Sequence, residues 1–321
     1  MAAIAERYFH NPLWLAPMAG VTEKAFRTLC IEHGAVLTYS EMISAKALEY
    51  ANDRTRELAE PAPAERQLAV QLFGHEPQVM ARQAAQLAEE MAPRIALIDV
   101  NMGCPVLKVN KKGEGAALMR TPQLAAQIIR QMVRALEPYG IPVTAKFRSG
   151  WDGDSLNAVE LALLLQDAGA AALGVHGRTA KQLYRGTADW GVIAQVAAAV
   201  EVPVIGSGDV YTPHDALRMR QETGAAAVFA ARGARGNPWI FSGITPTPLQ
   251  RVQAAQRHLE LYLQFYGGEH LSPLRAQLAF YVHGQAGAAE LRRALGSAVT
   301  AGEFSAVLAS AAQRCASGGQ L

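Results

Sequence analysis

At 321 residues, half of them hydrophobic, the chain can bury one barrel-sized core and a small appendage, and no apolar run approaches the roughly 18 residues that a membrane span needs. A formal net charge of +2 is only mildly basic, so global charge gives no argument for a nucleic-acid partner. Cys30, Cys104 and Cys315 are odd in number and far apart, which argues against a disulfide framework and against a CxxC zinc site.

In chain order, eight short apolar runs each end in a polar or glycine-rich corner. They are LWLAP (13–17), AVLTYS (35–40), LAVQLF (68–73), IALIDVN (95–101), VTAKFR (143–148), ALGVHG (172–177), VPVIGSG (202–208) and AAVFAAR (226–232). Stretches with helical spacing alternate with them, such as TPQLAAQIIRQMVRALEPYG, where Pro122 suits a first turn and Gly140 a stop. Strand then helix, eight times over, predicts a (β/α)8 TIM barrel of the α/β class. An open doubly wound sheet fits less well, because no GxGxxG follows the first run. From about Thr245 the pattern is helical only. A barrel over residues 1–244 and a small all-helical domain over 245–321 are therefore expected, with a glycine-rich, disordered tail.

The active site of such a barrel forms at the C-terminal ends of its strands. The residues that close the runs are Met18, Glu41, Gln71, Asn101 with Cys104, Lys146, His176 with Arg178, Ser207 with Gly208 and Asp209, and Arg232. GSGDV and AARGARG, after the last two runs, together with Arg232 suit a phosphate cradle for a cofactor such as FMN better than they suit mere tight turns, the alternative for Gly206 and Gly208. Lys146 lies in an apolar run and needs a partner, either Glu41, Asp99 or the negative edge of a reduced flavin. His176 reads as a cofactor or substrate contact. Cys104, between Gly103 and Pro105, admits three roles: inert thiol, nucleophile or general acid. Cys30 and Cys315 lie in helix-like stretches and read as packing residues.

The chain resembles the flavin-dependent tRNA-dihydrouridine synthases, most of all their bacterial B-type branch. The resemblance is carried by LAPMAGVTEKAFRTLC (15–30), SEM (40–42), VQLFG (70–74), IDVNMGCPVLKVNKKGEGAALM (98–119), KFRSGW (146–151), VHGRTAKQLYRGTADW (175–190), PVIGSGDV (203–210) and ARGARGNPWIF (231–241). It implies a barrel that binds FMN, a helical domain that helps to hold tRNA, and reduction of a uridine C5=C6 bond with NADPH as reductant. By position it implies Pro17 and Met18 against the flavin, Gln71 and Lys146 on its ring edge and His176 beside it. Ser207, Gly208, Asp209, Ala231 and Arg232 would line the ribityl-phosphate end. Cys104 would be the general acid and Asn101 a uracil contact.

RNA would then meet Lys108, Lys111 and Lys112 near the site, Arg27 and Arg178 at the rim, and Arg275, Arg292 and Arg293 in the helical domain; the alternative for these is a solvated surface. A cytoplasmic monomer without metal or membrane partner is expected, since MAAIAERYFHNP does not read as a secretory signal. Three positions depart from the family pattern. Ser207 stands where Asn is usual, Ala231 where Gly is usual, and LRAQLAFY replaces a more basic stretch. The alternatives are a flavin barrel acting on a small pyrimidine or enone, and a dihydrouridine synthase acting on ribosomal RNA.

Overall fold

The structure, a computed structural model, describes residues 7–50 and 53–317. The expected tail past Ser317 and the first residues of the N-terminal segment lie outside these. Eight parallel strands alternate with helices: β1 (Leu13–Leu15), β2 (Tyr39–Ser44), β3 (Leu68–Phe73), β4 (Ile95–Met102), β5 (Val143–Arg148), β6 (Ala172–His176), β7 (Val204–Ser207) and β8 (Ala227–Ala230). Their order is β1-β8-β7-β6-β5-β4-β3-β2. The two outer strands of that order meet through a parallel bridge between Leu15 and Thr38, where the Leu15 N–H donates to the Leu37 carbonyl at 3.1 Å. The sheet thus closes into a TIM barrel.

Apolar layers on both faces explain why LAVQLF is almost continuously buried instead of alternating. Val70, Leu72, Ile98 and Val100 pack outward against the helices, whereas Trp14, Tyr39, Leu97, Ile205 and Phe229 fill the barrel. The second strand begins later than the run 35–40 suggests. Leu37 and Thr38 serve the barrel-closing contact, and the regular strand continues through the polar YSEMIS with a register shift between Tyr39 and Met42.

Every second strand residue faces inward, so the inward series on β4 reads Leu97, Asp99, Asn101 and on β5 Thr144, Lys146, Arg148. Polar character therefore grows toward the C-terminal ends. Gly174 on β6 makes room for this, since a Cβ there would lie 3.0 Å from both Lys146 Cγ and Phe229 Cε2.

Four helices, Pro248–Tyr266, Leu274–Tyr281, Ala288–Ser297 and Ala301–Ala316, follow the barrel. Thr247 with Gln250 and Thr300 with Glu303 form capping boxes that fix two of their starts. Their core of Leu259, Leu278, Leu291 and Phe304 includes Ala25 and Leu29 from the barrel helix Lys24–Glu32. A buried polar seam crosses the same contact: Glu23 accepts from the Ala25 and Phe26 N–H groups and pairs with His258 Nε2 at 2.7 Å. On the other side of the ring, His258 Nδ1 lies 3.0 Å from the Tyr281 hydroxyl. Among the described residues no helix is long and apolar enough to cross a membrane.

Candidate active site

The inward polar residues open into a cavity of about 560 Å³ at the C-terminal ends of the strands. Pro17 and Met18 line it after β1, Gln71, Asn101, Lys146, His176 and Ser207 come from β3 to β7, and Ala231 and Arg232 follow β8. Four described lining residues, Lys146, Arg148, Arg232 and Arg235, are basic and none is acidic. Such a wall favours an anionic or electron-rich occupant.

Cys104 sits where the chain leaves β4. Asn101 Oδ1 accepts from the N–H groups of Gly103 at 3.1 Å and Cys104 at 2.9 Å, bending the chain directly after the strand. From the far side of the loop, the Cys104 carbonyl accepts from the Ala116 N–H at 3.0 Å. Arg148 Nε donates to the Gly103 carbonyl at 2.7 Å, and its Nη1 ties the same loop to the carbonyls of Thr179 and Leu183. The half-buried thiol is thus held by a rigid surround. Burial pushes its pKa up against the opposing pull of the Val106 N–H and the Arg148 charge, so it keeps its proton at neutral pH.

The glycines of this loop have a geometric cause. Gly115 has φ +61°, and a Cβ on it would lie 2.9 Å from the Cys104 carbonyl oxygen. Gly115→Ala is expected to cost about 1–2 kcal/mol from the left-handed backbone alone and to move Cys104. The check is the rate of Cys104 alkylation by iodoacetamide beside a melting curve; unchanged values of both would contradict it.

Lys146 projects into the cavity with no hydrogen bond or ion pair among the described residues, and its Nζ lies 5.6 Å from the Phe229 ring centre. Burial, with the neighbouring Arg148 charge, lowers its pKa to about 8, against the stabilising pull of Asp99. The expected ion pair with Glu41 does not form, because Glu41 accepts from the Gly20 N–H at 2.6 Å. Asp99 pairs instead with Gln71 and Thr144. His176 is held well below its ordinary pKa, first by burial and then by the surrounding cations, and is a neutral imidazole.

Burial raises the Asp99 carboxyl to about 6 despite its hydrogen bonds from Gln71 and Thr144 and the nearby Lys146 charge. A carboxyl raised from its ordinary value binds its proton more tightly in the folded state. Its contribution therefore lowers stability as pH climbs from about 4 to 6, and the full penalty at neutral pH is roughly 3 kcal/mol.

Several expected residues lie elsewhere. Arg178 and Arg27 are not at the rim: both are almost wholly buried. Arg178 pairs with Asp209 at 2.7 Å and donates to the carbonyls of Arg185 and Gly186, while Arg27 pairs with Glu65 at 2.8 Å. Asp209 (φ +56°) is locked by Arg178, Arg232 and the Ala188 N–H, so it braces the cavity from behind. Gly208 likewise lies behind the wall, packed so closely on Ala188 and His176 that a Cβ would clash. Ala231 has φ −111°, so its methyl group is accommodated.

Asn101 spends both ends of its amide inside the protein, on Gln71 and on the Cys104 turn. Lys108, Lys111 and Lys112 are exposed beside the loop, outside the cavity wall. Arg275 donates to the Ala298 carbonyl, whereas Arg292 and Arg293 are exposed. Arg148, Tyr184 and Arg235 line the cavity without having been singled out in the sequence. Arg148 was findable, two residues beyond Lys146 on the same strand face. Tyr184, exposed on a loop and lying near both Arg148 and Arg232, had no local signal.

A family model described as dihydrouridine synthase (Dus) matches residues 14–317. The chain is 40% identical over 268 residues to tRNA-dihydrouridine synthase B of Shewanella oneidensis, covering 80% of this chain and 81% of that protein. It is 39% identical over 306 residues to tRNA-dihydrouridine synthase B of Vibrio cholerae, covering 91% and 92%. Among solved structures, a variant of NCR from Zymomonas mobilis aligns with a TM-score of 0.52 at 15% identity, over 74% of this chain and 88% of that one, a likeness of fold alone.

Proposed function

The chain belongs to the dihydrouridine synthase family, and from that premise we propose that it reduces the C5=C6 bond of a uridine in tRNA to 5,6-dihydrouridine, with FMN as cofactor and NADPH as reductant. The observation that carries this reading is a barrel mouth whose charged lining residues among those described are all basic, with a protonated thiol at its edge. In this reading residues 1–244 hold the cofactor and perform the chemistry, and residues 245–321 add surface for the RNA. The protein works as a monomer in the cytoplasm.

The donor set fits a flavin mononucleotide. Lys146, an ammonium with no hydrogen bond or ion pair among the described residues, lines the cavity and suits the electron-rich edge of the ring, and Gln71 lines the same cavity. Arg232 and the backbone around Ser207 and Ala231 would hold the phosphate, with Pro17, Met18 and neutral His176 packing on the remainder. Bound there, the flavin supplies the two-electron reducing equivalent. Cys104 gives its proton to the uracil carbon, and the nearby Arg148 charge stabilises the thiolate left behind until solvent returns the proton. A uridine reaches the cavity only when flipped from its stack, which costs least in a single-stranded loop. Exposed Lys108, Lys111 and Lys112 then meet the backbone that carries it.

Purified protein is expected to be yellow, to hold FMN, and to form dihydrouridine in tRNA lacking it, with one NADPH consumed per product. Colourless protein that takes up no FMN, or NADPH oxidation stimulated by free uracil or an enone but not by tRNA, would refute the proposal.

The low pKa of Lys146 adds a pH dependence. Its ammonium loses charge as pH rises through about 8, so FMN affinity of the apoprotein falls on the alkaline side by up to about tenfold per pH unit. Lys146→Met should bind FMN weakly at every pH without that limb. Titration by flavin fluorescence distinguishes the two, and an alkaline limb surviving in the variant would contradict the assignment.

A further inference from the structure

Asp99 lies buried in the barrel, and no step above uses it. Its Oδ1 accepts from the Thr144 hydroxyl at 2.6 Å and its Oδ2 from the Gln71 side-chain amide at 2.7 Å. An ionised carboxylate only accepts, so Gln71 must turn its NH2 toward Asp99 and its Oε1 toward Asn101. Asn101 Nδ2 then donates to that oxygen at 2.8 Å, which leaves Asn101 Oδ1 for the N–H groups of Gly103 and Cys104. Each amide takes its direction from the one before it. The series begins at one buried charge and ends on the backbone of Cys104.

We propose that Asp99 is a positioning residue for Cys104: its carboxylate sets the direction of the Gln71–Asn101 hydrogen-bond chain and thereby holds the Cys104 turn at the cavity. The proposal rests on the reading of Cys104 as proton donor and deepens it. A carboxamide at position 99 removes the direction, because it donates to Gln71 as readily as it accepts. A flipped Gln71 turns its NH2 on the NH2 of Asn101, and a flipped Asn101 turns its own on two backbone N–H groups. The turn then loses both anchors. The ionised carboxylate also lowers stability at neutral pH. A purely structural role for Asp99 therefore predicts that the neutral isostere folds well and works normally, the opposite of what positioning predicts.

The test uses FMN-loaded protein and unmodified tRNA. Asp99→Asn should lower dihydrouridine formation about 10- to 100-fold, a larger factor than any change in reduction of bound flavin by NADPH through Lys146, and iodoacetamide should alkylate Cys104 at a changed rate. Asn101→Ala should repeat the loss of product. If the two act through one chain, the double variant is no worse than the worse single one. Asp99→Asn with unchanged product formation and unchanged alkylation would overturn the proposal, as would losses that multiply in the double variant. Should Asp99→Asn fail to fold, Thr144→Val removes one anchor of the carboxylate. It should lower product formation by a smaller factor and shift alkylation the same way, and no change in either overturns the proposal. Cys104→Ala separates the two readings: normal product from it sinks the proton-donor role, whereas its loss of product with an unaffected Asp99→Asn sinks only the positioning role.

Discussion

Cys104→Ala protein should retain FMN and accept electrons from NADPH normally, yet form dihydrouridine about 10²- to 10⁴-fold more slowly. The expectation follows from the thiol's surroundings. Burial keeps it protonated, the Asn101 turn and the Ala116 contact fix its backbone, and Arg148 stands ready to stabilise the thiolate. None of these features helps to bind a flavin, so loss of the sulfur should separate the two half-reactions. Stopped-flow reduction by NADPH followed by mixing with tRNA measures both. Undiminished product in the second step would contradict the role, and slowed reduction in the first would mean that Cys104 supports the cofactor instead.

Glu65→Ala should destabilise the fold by about 3–5 kcal/mol. Glu65 accepts from Arg27 at 2.8 and 3.1 Å, from the Thr38 hydroxyl at 2.5 Å and from the Ala62 N–H at 2.6 Å. Both charged side chains are all but inaccessible, at 2% and 0% exposure, so removing one strands the other without water. The pair also joins the barrel-closing segment at Thr38 to the helix Lys24–Glu32, on which the C-terminal helices dock. Arg27→Met with Glu65→Leu should recover most of the loss, because replacing a buried pair by apolar groups of similar volume is often neutral. Urea unfolding of the three variants checks this. A Glu65→Ala loss under about 1 kcal/mol would place the pair in contact with solvent.

How far the sequence could be read depended on whether a signal was local. Strands β3 and β5 coincide with the runs 68–73 and 143–148, since a strand covered on both faces is apolar throughout. The second strand was displaced because it runs on past Ser40 to Ser44, its pairing resuming at Met42 after a register shift, in a stretch that no hydrophobic pattern marks. Gln71, Asn101, Lys146, His176 and Ser207 were legible because each lies at or near a strand end, where the barrel's geometry brings them together. Arg27 and Arg178 were misread as rim charges. Their partners, Glu65 and Asp209, are 38 and 31 residues distant, and only folding brings such pairs into contact. The turn that Asn101 Oδ1 caps was not legible for a related reason, since the backbone N–H groups that it serves come together only in three dimensions.

Where dihydrouridine appears in cellular RNA is the most direct test of the proposed activity. Mapping it across total RNA from cells with and without the gene should reveal a uridine in tRNA whose modification vanishes with the gene and returns with the wild-type copy but not with Cys104→Ala. An unchanged tRNA map, or a loss confined to ribosomal RNA, would contradict the tRNA assignment.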